Sequence, residues 1–210
     1  MPQDLGAKLD SLAIILAAGE SRRMRLPKAL LAYSESETFL QHLVEVFESA
    51  GCRTLAVVGA GAEEIARAHP SLELVFNPSW ESGQFSSALV GLKEAAARNA
   101  RRMLLHPVDT PMLQRSSIDA LLSGLGEGEA IAPQYRGAPG HPLVLSAEGA
   151  RKIAEQKSAP HLEAALRFVQ MRQISVDDPG VAMNLNTPEE YQRAFGRPPR
   201  LPVSAQPSTE

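Results

Sequence analysis

The chain has 210 residues, 44% of them hydrophobic and 21% charged, with a formal net charge of −3. That length supports one well-buried domain and is short for two. The slightly acidic balance gives no basic face for a nucleic acid, and no apolar run approaches the roughly 20 residues that span a bilayer.

The opening residues, MPQDLGAKLD, are too polar for a secretory signal, so a cytoplasmic location is expected. Residues 11–19 read as a buried strand, the apolar run AIIL entering a turn of small residues. Residues 20–28 are polar and basic, and Pro27 blocks a regular helix there. Over residues 39–50, Leu40, Leu43, Val44, Phe47 and Ala50 share one helical face, and Gly51 ends the helix. Cys52 is the one cysteine, which excludes an intrachain disulfide; among apolar neighbours it is expected to be a buried, inert thiol.

Residues 53–58 form a second strand, 63–68 a short helix and 72–76 a third strand. An alanine-rich helix over 86–99 precedes a strand at 103–105, which ends in His106-Pro107-Val108-Asp109. A helix at 118–125, short strands at 130–132 and 142–145, helices at 148–156 and 161–168 and a strand at 173–176 follow. A last helix covers 188–195, with Thr187 as its cap. This alternation predicts a single-domain α/β fold, a three-layer α/β/α sandwich on a mainly parallel sheet, over residues 1–196. The proline- and serine-rich residues 197–210 are expected to be a disordered tail. Such sheets bind ligands beyond the carboxyl ends of their strands.

The strongest local feature is Leu16-Ala17-Ala18-Gly19-Glu20-Ser21-Arg22-Arg23-Met24, followed by Pro27-Lys28-Ala29-Leu30-Leu31. A strand ending in very small side chains lets backbone N–H groups approach a ligand, and three nearby cations suit a triphosphate. By composition alone the same stretch reads as a solvated basic loop. It is not a Walker A loop, because no second glycine precedes the lysine and no Ser or Thr follows it. Gly59 and Gly61 lack the third glycine of a dinucleotide fingerprint and read as a plain turn.

The order of these residues resembles the signature of the nucleotidyltransferases that act on molybdenum-cofactor pterin, and of relatives that load sugar phosphates. Four later segments are similar to the same family in the right order. They are Asn77-Pro78 with Ser86-Ser87, His106-Pro107-Val108-Asp109-Thr110-Pro111, Gly140-His141-Pro142, and Asn184-Leu185-Asn186-Thr187-Pro188-Glu189-Glu190-Tyr191. The resemblance implies a Rossmann-like sheet and transfer of NMP from a nucleoside triphosphate to a phosphorylated acceptor such as molybdopterin, with release of pyrophosphate. It is nearest to the cytidylyltransferases and so implies CTP. Alternatives are a guanylyl- or sugar-1-phosphate transferase, or a nucleotide-binding regulator that has lost turnover.

Carried over residue by residue, the resemblance implies Lys28, Arg23 and Asp109 as catalytic residues. Leu16, Ala17, Ala18, Gly19, Ser21, Ser87 and Pro107 would join Arg23 and Lys28 in binding nucleotide. Asp109 and Asn186 would hold Mg²⁺, and Gly140 and His141 would meet the acceptor, whose pocket is expected from residues 135–138 and 159–168. The product would be handed to a molybdoenzyme or its chaperone.

Two departures stand out: Arg25 replaces the glycine usual after Arg-Met, and asparagines replace the Asp-x-Asp pair. Arg25 is expected to restrict a left-handed turn. Plainer readings remain for Ser87 as a helix-start residue, for His141 in a turn and for Asp109 as a loop-capping aspartate. Met24 and Trp80 read as packing residues, and His42, His69 and His161 carry no metal-ligand spacing.

Overall fold

The computed structural model describes residues 10–202. Its strands are β1 (Ser11–Ala17), β2 (Arg53–Val58), β3 (Leu74–Phe76), β4 (Arg102–Pro107), β5 (Ala130–Tyr135), β6 (Ala138–Pro139), β7 (Leu143–Ser146) and β8 (Met171–Ser175). The helices are α1 (Phe39–Ser49), α2 (Ala62–Ala68), α3 (Gln84–Ala97), α4 (Arg115–Leu125), α5 (Ala147–Glu155), α6 (Leu162–Leu166) and α7 (Pro188–Phe195). Short 3₁₀ turns occupy Lys28–Leu30, Trp80–Ser82 and Pro179–Ala182. The first begins directly after Pro27, whose fixed φ suits a turn start, and ends where Leu31 turns extended.

All eight strands form one sheet in the order β3-β2-β1-β4-β7-β5-β6, with β8 paired to β5. β1 runs parallel to β2 and β4, β2 to β3, and β5 to β8; β7 is antiparallel to β4 and β5. The mainly parallel sandwich expected from the sequence is therefore what forms.

Period-two alternation along the fully buried β1 divides the core. Ala13, Ile15 and Ala17 face a layer with Phe39, Leu43 and Phe47 of α1, Ile118 and Leu121 of α4, and Tyr191 of α7. Leu12, Ile14 and Leu16 face α3 and α5 through Phe85, Ala88, Leu92 and Ile153. Gly91 lets α3 lie close on the sheet, since a Cβ there would stand 2.3 Å from Ile14 Cγ2. Cys52 is buried, as expected.

The tail differs from expectation at its start. Arg200 O accepts a hydrogen bond from Ala32 N at 2.8 Å, and Arg197 and Arg200 both pair with Glu35, so residues 197–202 lie against the domain. Charge, a main-chain bond and the contact of Leu201 with the core hold this stretch, which its proline- and serine-rich composition does not register. Residues 203–210 lie outside the described residues.

Candidate functional site

The strand order places β2 and β3 on one side of β1 and β4 on the other, so the chain reverses its winding direction between β1 and β4. A crevice opens at the carboxyl ends of strands at such a reversal. Leu16 of β1 pairs with Pro107 of β4, which sets the loops that follow them side by side. The cleft there is about 690 Å³, within the range of small-molecule sites.

Of the residues expected to meet a nucleotide, Leu16, Ala18, Gly19, Ser21, Lys28, Ser87 and Pro107 line this cleft, and so does Asp109, expected to hold the metal. Ala17 does not, because strand alternation turns its methyl into the opposite core layer. Arg23 is exposed and outside the lining; Arg22 takes that position, paired with Glu20 at 2.6 Å. Trp80, read from the sequence as a packing residue, is also in the wall. It lies on the backbone of Gly59, where a Cβ would come within 2.5 Å of Trp80 Cβ. The small residue at Gly59, read as a plain turn, was the available signal.

The loop after β1 is shaped by two residues with left-handed backbone, Ser21 (φ 57°) and Arg25 (φ 61°). Arg25 adopts the conformation a glycine would take, contrary to the expected restriction, because Ser21 O accepts from both Met24 N and Arg25 N and closes the turn. Ser21 Oγ accepts from Lys28 N at 3.1 Å, anchoring the backbone of the lysine. Among the described residues, the backbone N–H groups of Gly19, Glu20, Ser21 and Arg22 donate to no protein acceptor. Such a run of free donors at a strand end suits phosphate oxygens.

The charged centre joins three distant parts of the chain. Lys28 Nζ donates to Asp109 Oδ2 and to Asn186 Oδ1, each at 2.8 Å. Segment 184–186 is held there by Leu185 N donating to Asp109 O at 2.8 Å and by Thr110 Oγ1 donating to Asn184 Oδ1 at 2.8 Å. Asn184 is thus turned to Thr110, and Asn186 alone of the pair reaches the lysine. Glu190 completes the support: its carboxylate accepts from Asn186 N at 2.6 Å and Thr187 N at 3.0 Å, while Thr187 Oγ1 accepts from Glu190 N. This capping box starts α7 and confirms Thr187 as the cap.

The two oxygens converge on one cation position, and a carboxylate with an amide oxygen is a donor set for a hard divalent ion such as Mg²⁺. The residues therefore fit the metal that the sequence resemblance implies, with the remaining ligands left to water and phosphate. Among the described residues no group of three or more His, Cys, Asp or Glu side chains gathers as a metal site.

Asn77 is nearly inaccessible and locks the other wall. Its Nδ2 donates to Ser86 Oγ and Ser87 Oγ at 2.9 Å, and its Oδ1 accepts from Ser79 N. Ser87 thus has a structural bond and a position at the cleft.

A second cavity of about 540 Å³ adjoins the first, sharing Gly83 and Gln84 with it. Gly140, His141 and part of the 159–168 segment line it, whereas residues 135–138 do not, since they belong to the β5–β6 hairpin. His161, which carries no metal-ligand spacing, joins this wall; its Nδ1 accepts from Ala164 N at 3.2 Å as the cap of α6.

His141 stands edge-on to His106, with ring centres 6.2 Å apart. Burial lowers the pKa of His141, partly opposed by the charge of Asp109. His106 is fully buried, its Nε2 bonded to Thr110 O and its Nδ1 without a partner. Burial pushes its pKa from 6.5 down to about 3, and His141 adds to the shift.

A strand-end loop of free N–H groups, a lysine on convergent oxygens and an adjoining second cavity define a nucleotide-handling site on a parallel sheet. The chain belongs to the family described as the MobA-like NTP transferase domain, which matches residues 13–175. It is 34% identical over 146 residues to the nicotine blue oxidoreductase of Paenarthrobacter nicotinovorans, covering 64% of this chain and 70% of that one. It is 24% identical over 187 residues to the molybdenum cofactor cytidylyltransferase of Escherichia coli (88% and 95%). The bifunctional protein GlmU of Xanthobacter autotrophicus is 32% identical over 169 residues, but the chain spans only 37% of its length. Among solved structures, Rv0371c of Mycobacterium tuberculosis superimposes with a TM-score of 0.73 at 22% identity, over 90% of this chain and 100% of that one.

Proposed function

We propose that this nucleotidyltransferase moves CMP from CTP to a phosphorylated acceptor such as molybdopterin. A phosphate oxygen of the acceptor attacks the α-phosphorus in line. The new P–O bond forms as the bond to the bridging oxygen breaks, and pyrophosphate leaves with that electron pair. The nucleophile is already an anion near neutral pH, so no general base is required. This agrees with a cleft whose lining, among the described residues, holds no histidine.

The observation that carries the reading is Lys28 between Asp109 and Asn186 beside free backbone donors. Lys28 and the N–H groups of residues 19–22 would hold the triphosphate and offset charge at the α-phosphate. Asp109 and Asn186 would hold Mg²⁺, which supplies further charge neutralisation when bound. Gly140 and His141 would orient the acceptor across the shared Gly83–Gln84 rim. Ala18 supports CTP, since the sequence resemblance implies glycine there in GTP users and an added methyl crowds a purine more than a pyrimidine. One methyl contributes only about 1–3 kcal/mol, so the preference should be marked without being absolute. A cytoplasmic site of action and handover of the product to a molybdoenzyme or its chaperone belong to the same reading; no helix among the described residues is long and apolar enough to cross a membrane.

Pyrophosphate release measured with CTP or GTP, Mg²⁺ and a panel of phosphorylated acceptors tests this. Asp109→Ala and Lys28→Ala should each lower the rate on the order of 10²–10³-fold with the fold retained. A folded Asp109→Ala enzyme of wild-type kcat/KM would remove the metal role, and faster turnover with GTP would remove the cytidylyl assignment.

A further inference from the structure

The cation position between Asp109 and Asn186 is taken by Lys28 Nζ. We propose that the Lys28 ammonium and a divalent metal are alternative occupants of this one oxygen pair, so that Lys28 must leave it before the pair can hold metal. The inference rests on the nucleotidyltransferase reading for what draws Lys28 away, while its first premise is geometric.

Both contacts of Lys28 Nζ are 2.8 Å, the length of charge-assisted N–H···O bonds and longer than the roughly 2.0–2.1 Å that Mg²⁺ requires. The Lys28 side chain is 12% exposed and that of Asp109 24%, so the pair is partly shielded although it stands in the cleft wall. The charge balance points the same way. Among the described residues Asp109 is the one acidic side chain bonded to this cation, and Lys28 already neutralises it. A divalent ion added with the lysine in place would meet an ammonium at close range in a partly shielded site.

Departure of the lysine is mechanically simple. Its backbone N–H is fixed by Ser21 Oγ, so only the flexible four-carbon stem has to swing. Triphosphate oxygens seated on the free N–H groups of residues 19–22 offer the ammonium a more strongly charged partner than Asp109. Nucleotide binding therefore exposes the oxygen pair, and the site discriminates against divalent ions that arrive alone. Because the competent state is a minor one without nucleotide, the apparent metal affinity is reduced by its population.

Mn²⁺ alone is the probe, with free ion followed by its EPR signal in the absence of nucleotide. Lys28→Met, of similar length and without charge, should bind Mn²⁺ at least tenfold tighter than wild type while binding CTP more weakly. Lys28→Gln serves as the second uncharged variant should the methionine protein not fold. The double variant Lys28→Met/Asp109→Asn should lose the gain. Equal or weaker Mn²⁺ binding in the folded uncharged variants overturns the proposal, and so does a gain that survives Asp109→Asn. If the wild type releases no pyrophosphate from any triphosphate, the transfer reading fails. The nucleotide-free Mn²⁺ comparison still decides the exchange.

Discussion

Single residues in this chain take their chemistry from the neighbours that enclose them. His106 lies one residue before the end of β4 in a fully buried position, Nε2–H donating to Thr110 O and Nδ1 left without a partner. With its pKa at about 3 in the folded protein and 6.5 in the free chain, the unfolded state binds the extra proton between those values. Stability from this residue is therefore complete above about pH 6.5 and is lost as pH falls toward 3. The slope is up to about 1.4 kcal/mol per pH unit for one proton. His106→Gln keeps a donor for Thr110 and cannot titrate. Urea denaturation between pH 7 and 4 should show a shallower loss of stability in this variant than in wild type. Parallel curves would mean that His106 is not the group responsible.

At the scale of elements, α3 carries Gln84 and Ser87 to the cleft, and Gly91 sets its height above the sheet. Helix propensity alone favours Gly91→Ala by about 1 kcal/mol. The added methyl, however, would stand 2.3 Å from Ile14 Cγ2 and 3.2 Å from Val57 Cγ2, both on buried strands. Overpacking of this kind costs roughly 1–3 kcal/mol. Gly91→Ala should therefore lower the melting temperature by several degrees and weaken CTP binding, because α3 must lift with its cleft residues. A higher melting temperature would show that the sheet yields easily and that propensity dominates.

For the molecule as a whole, the C-terminal part of the described chain is tied to the stretch after Lys28 through one residue, Ala32. Ala32 N donates to Arg200 O, and Ala32 O accepts from Tyr191 Oη at 2.5 Å, four residues beyond Lys28. Leu201 packs against the same core layer, and Glu35 takes both arginines. Truncation after Gly196 removes the partner of a main-chain donor, worth about 1 kcal/mol net or more if left buried, together with some apolar contact. A fall in melting temperature of at least 2–4 °C per kcal/mol lost is expected for a domain of this size. An unchanged melting temperature would make residues 197–202 a passive extension.

Much of this architecture could be read from local order. The apolar run of β1, the helical face of α1 and the Thr187-to-Glu190 box each depend on neighbours within a few residues, so spacing alone identifies them. The motif residues Lys28, Asp109 and Asn186 were legible for a related reason, since each follows or precedes a regular element in an order that resembles one family. The sequence by itself therefore determined the sandwich and the end of the sheet at which its motif segments gather. Tertiary structure alone decided which atoms meet. Strand alternation turned Ala17 away and left Ala18 in the wall; Gly59 received Trp80; and Arg22 replaced Arg23 at the cleft. Asn184 went to Thr110 while Asn186 went to Lys28. Those outcomes depend on contacts between segments up to 158 residues apart. A one-residue shift in direction reverses the face a side chain presents, and neither composition nor periodicity records which partner waits on that face.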